Sequence, residues 1–406
     1  PRSKLRGFRA YQPMNQQVNT FFNQTDWQAL PDLAEWVVEE GVRVQQIPAP
    51  TFAEDARATY VASQFKTFGL TDISIDDAKN ALGLYKGINR AVPAVMVMAH
   101  TDTVFSAETN LTIRRENDLI YGPGLGDNSM GVSGMLGLLK WMHDTNFIPD
   151  CDIWFVASSC EEGLGDLKGA RAAYNALKDR LGMVINIEGL AYGHIYHAGI
   201  AVHRLHITAK AEGGHSWLHF GRPSAVHTIM ELGAQINRIT PPNSPRTTYN
   251  IGMIEGGTAI NAIGTDAGIW LDMRSEAQAT LKKLVNQVYA IIDSLHQPGI
   301  TFDVEVVGNR PAGSVSSQHP LVLGALHTLA KLGIRGTLEN GSTDGNIPLA
   351  DGCPTVTVGI TRGGNAHRLD EYIETRPVAD GMKQLITLTQ ATASYQREQH
   401  EALAGD

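Results

Sequence analysis

Cysteine is scarce: Cys151, Cys160 and Cys353 are the only three in 406 residues. They form no Cys-x-x-Cys pair, which excludes a disulfide framework and a thiolate metal site. An odd, low count fits a reducing compartment, so a cytoplasmic protein is expected. Runs of Lys and Arg are missing too, as is any basic patch interleaved with aromatics. With a net charge of -9 and a pI near 5.9, nucleic acid is excluded as a partner. No apolar stretch approaches the ~20 residues of a membrane-spanning helix, so no membrane is expected. No secretory leader is visible, although the chain begins at Pro1 rather than Met, which leaves room for an upstream segment.

What is present is a chain 43% hydrophobic and long enough for two or three domains. It is organised around Pro93 to Phe105, P-A-V-M-V-M-A-H-T-D-T-V-F. The short apolar run Val95 to Ala99 reads as a strand buried on both faces, as in a parallel sheet. His100 and Asp102 follow at its end, where ligands bind in open α/β sheets. His-x-Asp suits a metal ligand with an orienting carboxylate; a capped loop is the alternative.

Residues 1 to 20 are polar and aperiodic and read as a loose arm. Trp27 to Val42 has helical spacing, and Thr51 with Glu54 reads as a capping box opening a helix to about Phe68. Two short strands are expected over Ile73 to Tyr85 and a peripheral hairpin over Leu111 to Ile120. Tyr121 to Met130 is a glycine-rich loop without the Gly-Lys-Ser/Thr of a phosphate loop. The next helix, Ser129 to His143, carries Gly131, Gly134 and Gly137, which predict close packing of helix on sheet. Buried strands follow at Ile153 to Ala157, Met183 to Ile187 and Thr355 to Gly359. Between Ala201 and about Arg310 the order is strand, helix, strand, strand, helix, strand, the ferredoxin-like pattern. An inserted domain over 200–311 is therefore expected, with Gly199 and Asn309 to Gly313 as hinges. Residues 1–199 and 312–406 would form the other domain, closed by helices over His319 to Leu332 and from about Val378.

Four buried strands each deliver a His or a carboxylate near their ends, giving His100, Glu161, Glu162, Glu188 and His367. Asp127 lies in the glycine loop. Alone, Asp127-Asn128 reads as a helix cap, Glu161-Glu162 as a solvated helix start, and Glu188 and His367 as loop residues. Their joint placement on one rim carries the metal reading. Two His and three carboxylates suit zinc, and also cobalt or manganese. Five ligands suffice for two ions about 3.5–4 Å apart if one carboxylate bridges, and Asp127 is the bridging candidate. A carboxylate that is not a ligand is needed as general base. The residues alone do not choose between Glu161 and Glu162.

The motifs H-T-D-T-V at 100–104, G-D-N-S at 126–129, E-E-G at 161–163, G-G-H-S at 213–216, G-G-T-A-I-N at 256–261, S-T-D-G-N at 342–346 and A-H-R-L-D-E at 366–371 resemble the dizinc metallohydrolases. That family includes aminoacylase, peptidase T, succinyl-diaminopimelate desuccinylase and glutamate carboxypeptidase. The resemblance spans nearly the whole chain after residue 20. It implies a zinc-peptidase-like α/β domain with a mixed, largely parallel sheet and an inserted α+β lid and dimerisation domain. It implies that His100, Asp127 and Glu188 hold one zinc, and Asp127, Glu162 and His367 the other. Glu161 would be the base and Asp102 the orienter of His100. His215 would polarise the scissile carbonyl across a homodimer, donating to the developing oxyanion. Asn261, Arg274, Ser342 and Thr343 would hold the substrate. On the bland side, Arg274 would pair with Glu276, Asn261 would cap a turn and Ser342-Thr343-Asp344 would start a helix.

Glu188 resembles the carboxypeptidase and deacylase branch, where aminopeptidase members carry Asp. S-T-D-G-N-I-P-L and G-N-A-H look closer to peptidase T-like members. The expected reaction is hydrolysis of an amide in a small peptide or N-acyl amino acid. An inactive metal-binding homologue acting as an interaction module, and a hydrolase of carbamoyl-type amides, are the alternatives.

Overall fold

The computed structural model describes residues 14–404. The chain divides into two units, Pro1–Ala198 with Gly313–Asp406, and Gly199–Ala312.

The first unit is built on a nine-stranded sheet. Its order is Thr71–Ile75, Ala81–Tyr85, Ile153–Ser158, Ala94–His100, Leu181–Ile187, Thr355–Val358, His194–Gly199 and Gly313–Ser314, with Thr337–Gly341 also paired to His194–Gly199. The four central strands run parallel, so their carboxyl ends share one rim. Ala94–His100 is buried along its whole length. Val95, Val97 and Ala99 enter one apolar cluster, Met96 and Met98 another. Both faces are therefore covered, which is why these strands read as unbroken apolar runs.

The helix Met130–Asp144 corrects one expectation. A Cβ on Gly137 would lie 2.4 Å from Val37 and 3.0 Å from Met382, side chains of the helices Leu30–Gln45 and Val378–Ala404. Gly134 meets Ile360 and Gly131 meets Asn128. The glycines admit helices and loops at close range, not the sheet.

Two more expectations change. Residues 1–13 of the loose arm lie outside the described residues, but Asn15–Gln24 is a helix. Gln17 donates to Glu398 at 2.5 Å, and His327 meets Asn19 at 3.0 Å. Tertiary partners hold this polar segment where its own pattern could not. The helix Asp55–Thr67 has no side-chain cap. The Thr51 hydroxyl instead donates to Asp102 at 2.9 Å, and Glu54 accepts the Cys160 N–H at 3.0 Å. No helix among the described residues is long and apolar enough to cross a membrane.

The second unit is a four-stranded antiparallel sheet in the order Thr247–Gly256, Asp266–Ser275, Ala201–Ala211, Ile300–Arg310. Leu205, Ile207, Ile269 and Leu271 pack against Ile229 and Leu232 of the helix Ala225–Ile236, and against Leu284 and Val288 of Gln278–Ser294. This is the ferredoxin-like arrangement. A small ribbon pairs Gly214–His215 with Ala262–Ile263.

Candidate functional site

His100 closes the central strand and is 2% exposed. Its Nδ1 faces Asp102, 3.2 Å from the carbonyl and 3.5 Å from Oδ1. Its Nε2 lies 3.2 Å from Asp127 Oδ1 and 3.5 Å from Glu188 Oε2. The other oxygen of Asp127, Oδ2, lies 3.0 Å from His367 Nε2, which is also 3.1 Å from Glu162 Oε1. The five expected ligands thus converge in two overlapping sets, with each oxygen of Asp127 facing one imidazole. One ligand atom from each of His100, Asp127 and Glu162 lies within 4.8 Å of the others.

The loop bearing Asp127 is pinned to the end of a strand. Asn128 donates to the Ile187 carbonyl at 2.9 Å and accepts the Gly189 N–H at 2.7 Å. Only glycine fits at 189, because a Cβ there would lie 2.2 Å from the Gly126 oxygen. Glu371, buried, accepts backbone N–H groups from the same loop. Sequence reasoning missed Glu371, which there is one more acid in a polar run.

Asp102 does more than face His100. Its Oδ1 accepts the Glu161 N–H at 2.8 Å and its Oδ2 the Glu162 N–H at 2.9 Å. The turn that presents both glutamates is thereby fixed. Cys160, just before them, takes the left-handed φ of 55°, sparsely populated for a non-glycine residue. Its N–H is secured by Glu54. Glu161 and Glu162 are each 6% exposed.

The Thr343 hydroxyl donates to Glu188 Oε1 and accepts from Asn186 Nδ2 at 3.1 Å. Asp344 is buried and accepts from Ser158 at 2.5 Å. Burial pushes its carboxyl up to about 7. Ser342 is half-buried.

Charge shows what the cluster fits. Burial opposes a charged His100, yet Glu188, Asp102 and Asp127 hold its pKa well above 6.5. Donation of its Nε2–H to the carboxylates of Asp127 and Glu162 raises His367 to about 10. Asp127 is depressed: burial opposes this, and the two imidazoles outweigh it. The excess of carboxylates keeps protons on the two histidines, positive charge that a cation would otherwise supply. The donor set, two imidazole nitrogens and carboxylate oxygens, fits divalent ions of the zinc type.

On the second unit, His215 and Asn261 are exposed. His215 Nδ1 accepts the Trp217 N–H at 3.2 Å, so a neutral ring carries its proton on Nε2. The Ser216 N–H binds the Asn261 carbonyl at 3.0 Å. Arg274 donates its Nε to Asp272 at 2.7 Å, while Glu276 accepts the Arg246 N–H at 2.8 Å.

A profile of peptidase family M20/M25/M40 matches residues 96–392. The succinyl-diaminopimelate desuccinylase of Nitrosospira multiformis is 24% identical over 254 residues, 61% of this chain and 59% of that protein. The chain thus spans under two thirds of that relative. The acetylornithine deacetylase of Edwardsiella ictaluri is 25% identical over 391 residues, covering 87% of this chain and 88% of that one. A tripeptidase from Staphylococcus aureus superposes with a TM-score of 0.74 at 20% identity, over 89% of this chain and 99% of that one. At that identity the likeness speaks for the fold.

Proposed function

The chain belongs to peptidase family M20/M25/M40, and from that premise we propose that it hydrolyses an amide bond in a small peptide or N-acyl amino acid. One observation carries the reading: the carboxylate oxygens of Asp127 each face a different imidazole. His100, Asp127 and Glu188 would hold one divalent ion, and Asp127, Glu162 and His367 a second. Zinc suits these donors best, and cobalt or manganese would also fit. Such ions would supply Lewis acidity, acidifying a water and polarising a carbonyl.

The chain's own groups do the rest. Glu161 takes the water's proton on its carboxylate and returns it to the leaving nitrogen. Asp102 holds the Glu161 N–H, so the base keeps its aim. His215 donates from Nε2 to the carbonyl oxygen as negative charge develops there. We assign that donation to the partner in a homodimer formed through residues 200–311. Asp272 fixes the Arg274 guanidinium on one edge, which suits it to grip a substrate carboxylate beside Asn261. Ser342 would complete the grip. Thr343 donates to Glu188, which favours a supporting role over the expected substrate contact. The low cysteine count supports a cytoplasmic setting.

Metal analysis of protein purified without chelator, followed by a panel of dipeptides, tripeptides and N-acetyl or N-succinyl amino acids, tests the reading. Two equivalents of metal and turnover on one of these classes are expected. A single ion at full occupancy with Glu188 turned away would overturn the two-ion arrangement.

A further inference from the structure

Glu371 is an acid with no task in the proposed reaction. It lies four residues after His367 and is wholly buried. Its carboxylate collects three backbone N–H groups from the loop that carries Asp127. Gly126 at 2.6 Å and Asp127 at 2.9 Å donate to Oε1, and Gly124 at 3.2 Å donates to Oε2. Its own carbonyl accepts the Gly122 N–H at 2.8 Å. The next residue, Tyr372, pairs with Tyr121 in a short antiparallel ribbon.

Converging N–H groups of this kind form a nest that an anion satisfies. A carboxylate offers two oxygens and no hydrogen, so every donor is met. An amide of the same shape would turn an N–H2 group toward one of the donors and strand it in a buried place. The consequence reaches past the loop. Asp127 is tied through its own N–H, and His367 belongs to the same short segment as Glu371. Two of the three donors expected for the second ion are therefore set against each other through one side chain. Glu162 reaches the same point independently, on the turn fixed by Asp102.

We propose that Glu371 is a positioning residue for the second ion, holding Asp127 and His367 at the separation that the ion requires. The proposal rests on the two-ion reading of the site. It differs from a purely structural role in one respect: the loss should fall on metal affinity, most heavily on the ion that draws both Asp127 and His367, beyond any cost to the fold.

The full chain, wild type and Glu371→Gln, would be stripped with chelator and titrated with zinc, with bound metal counted at each step and melting followed for stripped and loaded forms. In Glu371→Gln the weaker equivalent is expected to bind about 10–100-fold more weakly than in wild type, the usual cost of losing a group that braces a ligand, and the tighter one, which shares only Asp127, to change less. Saturating zinc should restore kcat, since Glu371 touches neither ion nor substrate; the stripped melt should fall by what one stranded donor costs, and the loaded melt at limiting zinc by more. Glu371→Asp, one methylene shorter with its charge kept, should fall between the two. Fewer than two equivalents on the wild type would overturn the two-ion reading. Two on the wild type with an unchanged second affinity in the variants would overturn the role of Glu371 alone. An equal drop in stripped and loaded melts, with both affinities intact, would make it a residue of the fold and also overturn the proposal. If Glu371→Gln does not fold, Glu371→Asp decides on the same criterion.

Discussion

The rim of the first unit and the ribbon of the second hold their functional side chains in opposite surroundings. On the rim, His100, Glu161 and Glu162 are nearly sealed from solvent, and the turn bearing both glutamates is gripped by carboxylates through backbone N–H groups. On the ribbon, His215 and Asn261 lie open, braced by hydrogen bonds with the Trp217 and Ser216 N–H groups and, for His215, with His219. The difference suits the roles proposed for each. The proposed ion-holding groups are fixed by hydrogen bonds, and all but His367 are buried or half-buried. Groups that meet a substrate must be reachable.

Substitutions can break this contrast or sharpen it. The largest effect is expected at the rim. Glu161→Gln should lower kcat by about 10²–10⁴-fold, the range for a lost general base, while both ions stay bound. Retained turnover, or lost metal, would mean that Glu161 and Glu162 are assigned the wrong way round. His215→Ala should lower kcat by about 10²–10³-fold with unchanged metal content, as for a missing oxyanion donor. Mixing Glu161→Ala chains with His215→Ala chains should then return roughly a quarter of wild-type activity if pairing is random and His215 serves the other subunit. No recovery in verified mixed dimers excludes service across the pair.

Smaller effects separate bracing from contact. Thr343→Val removes a donor from Glu188, and the ion bound through Glu188 should weaken by about 10–100-fold with KM unchanged. A raised KM at constant metal affinity would restore the substrate contact. Thr51→Val deletes one hydrogen bond to Asp102, at a cost of about 0.5–1.5 kcal/mol, so kcat should fall by no more than about tenfold. A larger fall would show that the 50–54 segment sets the position of the base itself.

Part of the site is legible in the order of residues alone. Val95 to Ala99 or Ile153 to Ala157 can be read because a strand buried on both faces must be apolar throughout, and its end then places His100 or the glutamate pair. His100, Glu162 and Glu188, three of the five proposed ligands, are placed for that reason. The supports are not legible, because they act across long stretches of chain. Glu371 meets Gly124 from 247 residues away. Glu54 and Thr51 match a local capping signal, but Cys160 and Asp102 draw their side chains elsewhere. The helix Asn15–Gln24 hides for a similar reason: its partners, Glu398 and His327, lie near the other end of the chain.

The second unit begins and ends on neighbouring strands, Ala201–Ala211 and Ile300–Arg310, with Val202 directly opposite Arg310. Backbones paired in this way are about 5 Å apart, a gap that a two-residue turn spans. The chain therefore leaves one body and returns to it through a doorway the width of a hairpin. Such an insertion is excisable in principle: a tight turn could replace it without restringing the parallel sheet. For the same reason a lineage could exchange the proposed recognition module wholesale while the proposed ion-holding rim stayed untouched. His215 would travel with such an exchange, so each new module would have to bring its own donor for the carbonyl oxygen.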